Sequence, residues 1–456
     1  MRSRRRFWCA LAPVAALLFL IAISTTLEAQ APPHMDLPFY VVLDLGTLGG
    51  TVSFAVGVND RGVVSLDSLL SGDSSLQVAI WVNGRKTDLG TLGGPNSLTF
   101  WRPSETGLVT GFSDTTAPDP LGEDFCFFGT FLECRGFVWQ NGVMTPLPTL
   151  GGNNSIASAI NDFGTVAGYS ENTNFDRTCP SPEYEAKPVI WDHGIPQELP
   201  TFLGDPDGYL NGINNKGQVV GGSGGCNGSP SKHALLWQNG TVTDLGNLGG
   251  KLFTVANTLN DEGAVIGPSD LPGDTNYYLQ PGASSTAHAF VWKNGVMTDL
   301  GALPGDVTSV PNSINNRGQI VGGGSRAILW QDRDLIDLNT LVRGGPFSPL
   351  YLLSANGIND HGEIVGQGLT RNGDIHAFLA IPCDAEHSSV AGCEPGAPAP
   401  TGPDAAQASA VNDQTSTNAA AVRRTLRRAG TPACPDTRLL SGRYRPTFAC
   451  GNAGRP

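Results

Sequence analysis

The chain has 456 residues with 28 basic and 41 acidic side chains, so its formal net charge is −13. A surface of that sign repels phosphate backbones and anionic lipid, which excludes nucleic acid as an expected partner. The 59 glycines and 33 prolines favour many turns over long helices.

The N-terminus has the pattern of a secretory signal peptide. Residues 2–6 contain four arginines, an apolar run covers residues 11–23, and small residues lead to Ala29. The run is shorter than the ~20 residues of a transmembrane span, so a retained signal anchor is the weaker alternative. Cleavage after Ala29 removes four Arg and one Glu, which leaves 24 basic and 40 acidic side chains and a net charge of −16. We expect a secreted chain, extracellular or periplasmic, with no transmembrane segment after cleavage.

From residue 40 onward, one pattern recurs seven times with a period of roughly 40–50 residues. Each copy supplies four short strand candidates, named a, b, c and d. Strand a ends in Asp-Leu or a variant, as at 299–300, and strand b leads into Ile-Asn, as in 155–161. Strand c has the form Gly-X-Val-Val-Gly, as in 217–221, and strand d ends at a Trp, as at Trp330.

The residues between these strands predict tight turns. Asn-Asp/Asn-X-Gly, as at 59–62, separates b from c and favours a type I turn closed by a left-handed Gly. Asn-Gly, as at 83–84, separates d from a and favours the two-residue type I′ turn. In the second copy, Ser104, Glu105 and Thr106 replace the Asn-led turn. Both b–c and d–a are therefore predicted hairpins, and the a–b link crosses between units.

Seven antiparallel four-stranded units predict an all-β fold, a seven-bladed β-propeller, rather than a parallel solenoid. The first recognisable strand, 40–45, has no b, c or d before it, and the last copy has no a after Ile381. Pairing the two chain ends would complete the seventh blade and remove its exposed edge. The expected domains are a signal peptide at 1–29, the seven-repeat propeller at 37–382 and a low-complexity, disordered tail at 383–456.

The repeat resembles a known family. The phrases that carry the resemblance are His-Ala-Phe-Val-Trp at 288–292, His-Ala-Phe-Leu at 376–379 and Lys-His-Ala-Leu-Leu-Trp at 232–237, with paired Leu-Gly-Gly and Ile-Asn-Asp-X-Gly motifs. They resemble the extracellular HAF-repeat proteins of bacteria over residues 39–382. The resemblance implies a secreted repeat protein and brings no activity with it. Kelch propellers also carry Gly-Gly pairs. They are the less favoured alternative, because here the pair precedes the inner strand instead of ending a buried one.

Eight cysteines follow the signal peptide, and an even number in an exported chain indicates disulfides before metal ligands. No Cys-X-X-Cys pair occurs, which disfavours zinc and thioredoxin-type chemistry. Three pairs each close one short stretch of chain, and the remaining pair would join the c–d loops of consecutive blades. The expected disulfides are Cys126–Cys134, Cys383–Cys393, Cys434–Cys450 and, between blades, Cys179–Cys226.

The sequence predicts no catalytic, cofactor-binding or metal site. His233, His288 and His376 occupy one repeated position, which indicates a structural role, because a scaffold position recurs whereas a site does not. Asp270, Asp274 and Asn276 depart from EF-hand spacing. No nucleophile elbow, Walker loop, His-Glu-X-X-His or Rossmann fingerprint is present.

We therefore expect the functional residues in the parts of the chain that differ between copies, above all in the c–d loops. These loops share one face with the a–b crossings, and we expect that face to be the binding surface. The loops span residues 66–77, 113–134, 170–186, 223–231, 268–286 and 367–375. Their candidate binding aromatics are Phe125, Phe127, Phe128, Phe131, Tyr277 and Tyr278. The alternative is that these rings pack their own loops over the blades.

Two functional hypotheses remain. The first is a non-catalytic binding or interaction scaffold with an extracellular polysaccharide or a protein as its partner. The alternative is a carbohydrate-active propeller enzyme, a hydrolase or lyase, that uses loop carboxylates. The candidate carboxylates are Glu123, Asp124, Asp205 and Asp207.

Overall fold

The computed structural model describes residues 37–228, 230–274, 286–332, 334–345 and 348–393. The predicted signal peptide, Tyr277, Tyr278, the Cys434–Cys450 pair and the tail beyond residue 393 lie outside these ranges. The described part contains β-strands and short 3-10 turns, at Cys226–Gly228 and Leu338–Leu341. No helix in that part is long and apolar enough to cross a membrane.

The strands form seven antiparallel blades of four, ordered b, c, d, a. The first four blades are β2 (Gly49–Val58), β3 (Val64–Leu70), β4 (Leu76–Val82), β5 (Arg85–Asp88); β6 (Ser97–Leu98), β7 (Val109–Pro118), β8 (Leu132–Gln140), β9 (Val143–Pro146); β10 (Ser155–Ile160), β11 (Val166–Phe175), β12 (Tyr184–Asp192), β13 (Ile195–Glu198); and β14 (Asp207–Ile213), β15 (Val219–Gly224), β16 (His233–Gln238), β17 (Thr241–Asp244). The last three are β18 (Thr258–Leu259), β19 (Val265–Asp270), β20 (Ala287–Lys293), β21 (Val296–Asp299); β22 (Val310–Ile314), β23 (Ile320–Gly323), β24 (Ala327–Gln331), β25 (Asp334–Asp337); and β26 (Tyr351–Ile358), β27 (Ile364–Leu369), β28 (Ile375–Pro382), β1 (Tyr40–Gly46).

The ring closes through both ends of the propeller. Strand β1 pairs antiparallel with β28, with Val42 opposite Ala380. This pairing gives blade seven its outermost strand and removes an exposed edge. The predicted seven-bladed all-β fold and its closure are confirmed.

The predicted turns are also present. Asn83 and Gly84 have φ values of 48° and 85°, the positive values of a type I′ turn. In the b–c turn of blade one, Gly62 has a φ of 73° and its N–H donates to the Asn59 carbonyl at 3.0 Å. Blade two keeps this turn without the Asn, because Gly107 still supplies the left-handed residue, with a φ of 84°.

Tryptophans at the ends of d strands tie neighbouring blades together. Three indole N–H groups donate to carbonyls that follow the a strand of the preceding blade. The pairs are Trp191 to Pro148 at 2.8 Å, Trp237 to Pro200 at 2.7 Å and Trp330 to Leu300 at 3.2 Å. Each ring thus buries apolar area between blades and also satisfies its polar atom.

The three predicted disulfides within the described residues are confirmed. Their Cα–Cα separations are 5.4 Å for Cys126–Cys134, 4.8 Å for Cys179–Cys226 and 5.1 Å for Cys383–Cys393. Cys179–Cys226 joins the c–d loops of blades three and four, as expected. Such bonds are typical of proteins in oxidising compartments.

The b–c turns are joined around the channel in a closed circuit of hydrogen bonds. In every blade, the backbone N–H of the second turn residue donates to the side chain of its counterpart in the next blade. The circuit runs through Asp60, Glu105, Asp162, Asn215, Asp261, Asn316 and Asp360, and returns to Asp60, with distances between 2.7 and 3.0 Å. We call these seven residues the turn ring.

The Asn that precedes each turn-ring residue makes two kinds of contact. In blade five, the Asn260 carbonyl oxygen Oδ1 caps its own turn by accepting from the Ala264 N–H at 2.9 Å. Its Nδ2 crosses to blade six and donates to the Asn315 carbonyl at 2.9 Å. Blade two has Ser104 instead, whose hydroxyl accepts from the Leu108 N–H but cannot reproduce the amide donor.

Replacing Asn260 with Ala removes the cap and the inter-blade bond at a buried position. We expect Asn260→Ala to lower the free energy of unfolding by about 1–3 kcal/mol, because a buried carbonyl and a turn N–H lose their partners. Urea unfolding measures the loss. The control, Glu262→Ala in the same turn, removes an exposed side chain and should stay within about 0.5 kcal/mol of wild type. Equal losses in both variants would contradict this role.

Candidate functional site

The channel inside the turn ring contains a cavity of about 370 Å³. That volume lies within the range of small-molecule sites. The cavity reaches from the turn ring inward to Phe100, Tyr169 and Tyr209. Its charged lining residues all lie at the mouth, and they are Asp60, Arg102, Asp162, Asp261 and Asp360. The deeper wall is neutral among the described residues that line it.

One inward position shows how the wall departs from sevenfold symmetry. This position lies three residues before the turn Asn. At the rise per residue of a β-strand, it is about 10 Å deeper in the channel than the turn. From blade one to blade seven it holds Val56, Trp101, Ser158, Asn211, Asn257, Asn312 and Asn356. Half of the wall is therefore an arc of four amides, and the other half is mostly apolar.

The four amides share one orientation. Each Nδ2 donates to a carbonyl of the next blade: Asn211 to Ala256 at 3.0 Å, Asn257 to Pro311 at 3.0 Å, Asn312 to Ala355 at 2.9 Å and Asn356 to Ala55 at 2.9 Å. The amide donors of this arc are therefore used within the protein, and the Asn356 oxygen accepts from the Ser354 hydroxyl at 2.9 Å. The Asn257 side chain is 7% exposed and its Oδ1 has no hydrogen-bond partner. A buried acceptor of this kind is costly unless something donates to it.

Trp101 occupies this position in blade two, and its ring reaches across the channel. Its Cη2 lies 3.2 Å from the point where a Cβ on Gly212 of blade four would stand. The ring also packs against hydrophobic clusters of blades three and four that include Ile160 and Ile213. Its indole Nε1 is buried without a hydrogen-bond partner. Both the Trp101 indole donor and the Asn257 amide acceptor are therefore buried without a partner at this level of the channel.

Arg102 follows Trp101 and lies at the mouth. Its Nη1 is 3.0 Å from Glu105 Oε1 and its Nη2 is 3.5 Å from Asp162 Oδ2. Burial alone would raise the pKa of Asp162, but the Glu105 N–H and the Arg102 guanidinium outweigh it and hold the pKa below its usual value. Burial raises the pKa of Glu105, against the opposing effect of the Asp60 N–H and Arg102. Arg102 therefore neutralises one sector of an otherwise acidic mouth.

The structure places the predicted loop aromatics elsewhere. Phe125 is 5% exposed, and with Phe128 it packs in the cluster that contains Tyr169 and Tyr209. These two tyrosines also line the cavity, so the loop aromatics help to close its floor. Phe127 takes a positive φ of 57° in the loop. Phe131 is 55% exposed and lies outside the cavity wall, so its predicted binding role stays a prediction.

The cavity mouth lies on the face opposite to the one expected to bind. The expected face carries the c–d loops, whereas the mouth is formed by the b–c turns. Sequence reasoning missed Trp101 and Arg102 for this reason. The pattern that identifies them is visible in the sequence: Trp-Arg-Pro at 101–103 stands where the other copies have Asn-Gly-Ile or a variant of it before the turn Asn.

The candidate loop carboxylates are engaged in their own loops. Asp205 accepts from the Ser223 hydroxyl at 2.6 Å, and Asp124 from the Gly129 N–H at 2.9 Å. Asp207 accepts from the Ala186 and Asn227 N–H groups at 3.0 and 2.6 Å. Burial, and after it the charge of Asp176, raises the pKa of Asp207 to about 8. These contacts order the loops between blades two and four.

Glu123 differs from the other three because it meets a second carboxyl group. Burial, then the hydrogen bond and charge of Glu171, raise the pKa of Glu123 to about 10. Burial also raises the pKa of Glu171. Asn154 Nδ2 donates to Glu123 Oε2 at 3.1 Å. The pair therefore holds a proton at neutral pH and links the long loop of blade two to blade three.

Three repeated histidines pair with aspartates, and the described residues contain one group of possible metal ligands. His233, His288 and His376 each pair through Nδ1 with an Asp of the adjacent a strand, at 2.8, 3.0 and 2.9 Å. Among the described residues, Asp176, Cys179 and Cys226 bring ligand atoms within 4.8 Å of one another. Both cysteines form a disulfide, so neither offers the thiolate that a metal would need.

No family model and no curated protein matches the chain. The solved structures that match include three distant ones. A protein of unknown function from Bacteroides thetaiotaomicron VPI-5482 is 12% identical over 76% of this chain and 94% of that chain, with a TM-score of 0.29. Trypanosoma rangeli sialidase is 11% identical over 75% of this chain and 55% of its own, with a TM-score of 0.33. A glucose dehydrogenase is 12% identical over 74% and 98%, with a TM-score of 0.33. At these values the likeness carries no inference about function.

The Glu123 pair predicts a pH dependence of stability. Folding raises the Glu123 pKa from 4.5 to about 10, so the folded protein keeps a proton that the unfolded chain has lost. Stability from this site is therefore full below pH ~4.5 and falls as pH rises toward ~10. We expect Glu123→Gln to raise the melting temperature at pH 8 and to change it little at pH 4.

Thermal unfolding at both pH values measures this difference. Glu133→Gln is the matched control, since Glu133 lies in the same loop and pairs with Arg135 at the surface side of the strand. It should give no gain at pH 8. A Glu123→Gln variant that is equally destabilised at both pH values would show that the carboxyl pair is not protonated in the folded state.

Proposed function

We propose that the chain is a secreted, non-catalytic binding propeller whose channel takes a small, uncharged, hydroxyl-rich ligand of the sugar class. The observation that carries this proposal is the presence of Trp101 and four asparagine side chains at one level of one cavity. An indole face packs well against the C–H face of a sugar ring, and amide oxygens accept from its hydroxyls. Export would follow from residues 1–29, and the resemblance to HAF-repeat proteins remains part of this proposal.

The charge of the mouth supports an uncharged ligand. Five of the seven turn-ring residues are carboxylic acids, and Arg102 offsets only the sector of Glu105 and Asp162. The remaining carboxylates, Asp60, Asp261 and Asp360, line the entrance. A mouth of this sign repels anionic ligands such as sugar acids.

The engagement of the mouth carboxylates supports binding without catalysis. Each turn-ring carboxylate accepts a backbone N–H from the neighbouring blade, which fixes its position. Glycoside cleavage needs a protonated acid and a second carboxylate on either side of the scissile bond. The enzyme alternative rests on Glu123, whose raised pKa would let it donate a proton, although Glu123 does not line the cavity.

The test is ligand titration with Trp101→Leu. Wild-type mature protein should bind neutral sugars in calorimetry, and Trp101→Leu should bind at least about tenfold more weakly, because stacking contributes about 1 kcal/mol beyond buried area. Trp292→Leu is the control, since Trp292 packs between blades and does not line the cavity. Full affinity in Trp101→Leu would overturn the proposal. New reducing ends released from sugar oligomers would favour the enzyme alternative.

A further inference from the structure

The chain continues beyond the propeller from the face that carries the cavity mouth. After the last strand, residues 383–393 form a loop closed by the Cys383–Cys393 disulfide. The Cys383 N–H donates to the carbonyl of Phe39, which precedes the outermost strand of blade seven, at 2.7 Å. This loop, which we call the exit loop, is therefore fixed at the outer edge of that blade.

The exit loop also contacts the b–c turn of blade seven. His361 of that turn pairs through Nδ1 with Glu386, and Glu363 Oε1 lies 3.9 Å from His387 Nε2. Asp360 of the turn ring directly precedes His361. The exit loop thus lies beside the turn that brings Asp360 to the cavity mouth.

The turn ring already shows how it binds a guanidinium group. Arg102 Nη1 is 3.0 Å from Glu105 and its Nη2 is 3.5 Å from Asp162, two neighbouring members of the ring. Asp360 and Asp60 are neighbours in the same way, since the Asp360 N–H donates to Asp60 Oδ1 at 2.8 Å. Among the described lining residues, their sector has no guanidinium group. A carboxylate has about four lone-pair positions, so both can accept further donors.

The rest of the chain has the opposite charge. Residues 30–393 carry 16 basic and 36 acidic side chains, whereas residues 394–456 carry eight arginines and four acids. Residues 423–428 have the sequence Arg-Arg-Thr-Leu-Arg-Arg, and no acidic residue occurs between Asp413 and Asp436. Guanidinium groups bind carboxylates through paired hydrogen bonds, so this arginine-rich segment complements the mouth.

Basic residues at the rim limit where such a segment can bind. Arg61, Lys216 and Arg317 follow turn-ring members in blades one, four and six, and they are exposed and outside the cavity wall. They repel arginines at the rim. At the mouth itself, four aspartates line the wall with one arginine, which favours binding there.

The length of the chain permits this contact. Strands of a blade lie about 4.8 Å apart, so the outermost strand is roughly 15 Å from the innermost one. Residues 394–422 separate the exit loop from the arginines, and these 29 residues span at most about 100 Å. The connection is therefore long enough to reach the mouth.

We propose that the mouth of the channel binds the arginine-rich segment 423–428 of its own chain, at the sector of Asp60 and Asp360. The guanidinium groups bind these carboxylates as Arg102 binds its own pair. The segment then covers the entrance, so a channel ligand has to displace it. This inference does not depend on the class of that ligand.

Photo-crosslinking in the full mature chain tests the contact. p-Benzoylphenylalanine replaces Leu426, in the middle of the four arginines, and mass spectrometry of the digested monomer locates the crosslinked residues. We expect the crosslinks to concentrate in the b–c turns of blades one and seven. Their yield should fall at least about fivefold from low salt to about 0.5 M salt, because salt screens exposed charges.

Two pairs of substitutions test the site. Asp60→Asn/Asp360→Asn removes two charges and keeps the turn ring, because Asn215 already accepts the same kind of backbone N–H. It should lower the yield at these turns at least about fivefold. The matched control, Asp332→Asn/Asp334→Asn, removes two charges from the d–a hairpin of blade six, outside the cavity wall, and should leave the yield unchanged. Circular dichroism confirms folding of each variant.

A third variant leaves the propeller untouched. It combines Arg423→Glu, Arg424→Glu, Arg427→Glu and Arg428→Glu, and it should abolish the same crosslinks. Undiminished crosslinks in this variant or in Asp60→Asn/Asp360→Asn overturn the proposal, as do crosslinks spread evenly over both faces. Crosslinks that join two chains and increase with protein concentration also overturn it, because the segment then binds another copy.

Discussion

The hydrogen bond from each b–c turn to the next blade is the constraint on which the rest of the structure depends. Blades of a repeat fold contact only their neighbours, so a closed ring needs every interface to be made. Here a backbone N–H that would otherwise lie unpaired in a turn finds the side chain of the next turn, around all seven blades. The same bonds fix the carboxylates around the mouth and set the width of the entrance. The bonds that close the fold therefore also determine the shape of the cavity mouth.

The fold was predictable because the turns are locally encoded. An Asn-Gly pair demands positive φ at two positions, and that demand selects a hairpin whatever surrounds it. The inter-blade bonds were not predictable in the same way. Asn260 Oδ1 bonds the backbone of its own turn, a local contact, but Asn260 Nδ2 reaches the next blade. Which partner a second polar group finds depends on the distance between blades, and no local pattern contains that distance.

The cavity opens on the face opposite to the c–d loops, where the sequence predicts binding, and binding by those loops stays a prediction. The length and variability of the c–d loops made Phe125 a predicted binding residue. Its ring is instead buried, because it packs in the apolar cluster at the channel end beneath the loop. Whether a loop aromatic meets solvent or core depends on how the ring closes. Trp101 is also a departure from the repeat, because its counterparts in the other copies are Val, Ser or Asn residues. Departures from the repeat thus occur inside the blades as well as in the c–d loops.

Hydrogen–deuterium exchange tests the turn ring most directly. The amides of the turn-ring residues lie in surface turns, where exchange is ordinarily fast, but the circuit of bonds predicts protection by at least ~100-fold relative to an unstructured chain. The amides of Gly84, Gly142 and Gly295 in the d–a turns provide the exposed reference, since the second residue of a two-residue hairpin donates no ladder bond. Slow exchange at Asp60, Asp261 and Asp360 beside fast exchange at the reference glycines is the predicted result. Equally fast exchange at both sets would contradict the account.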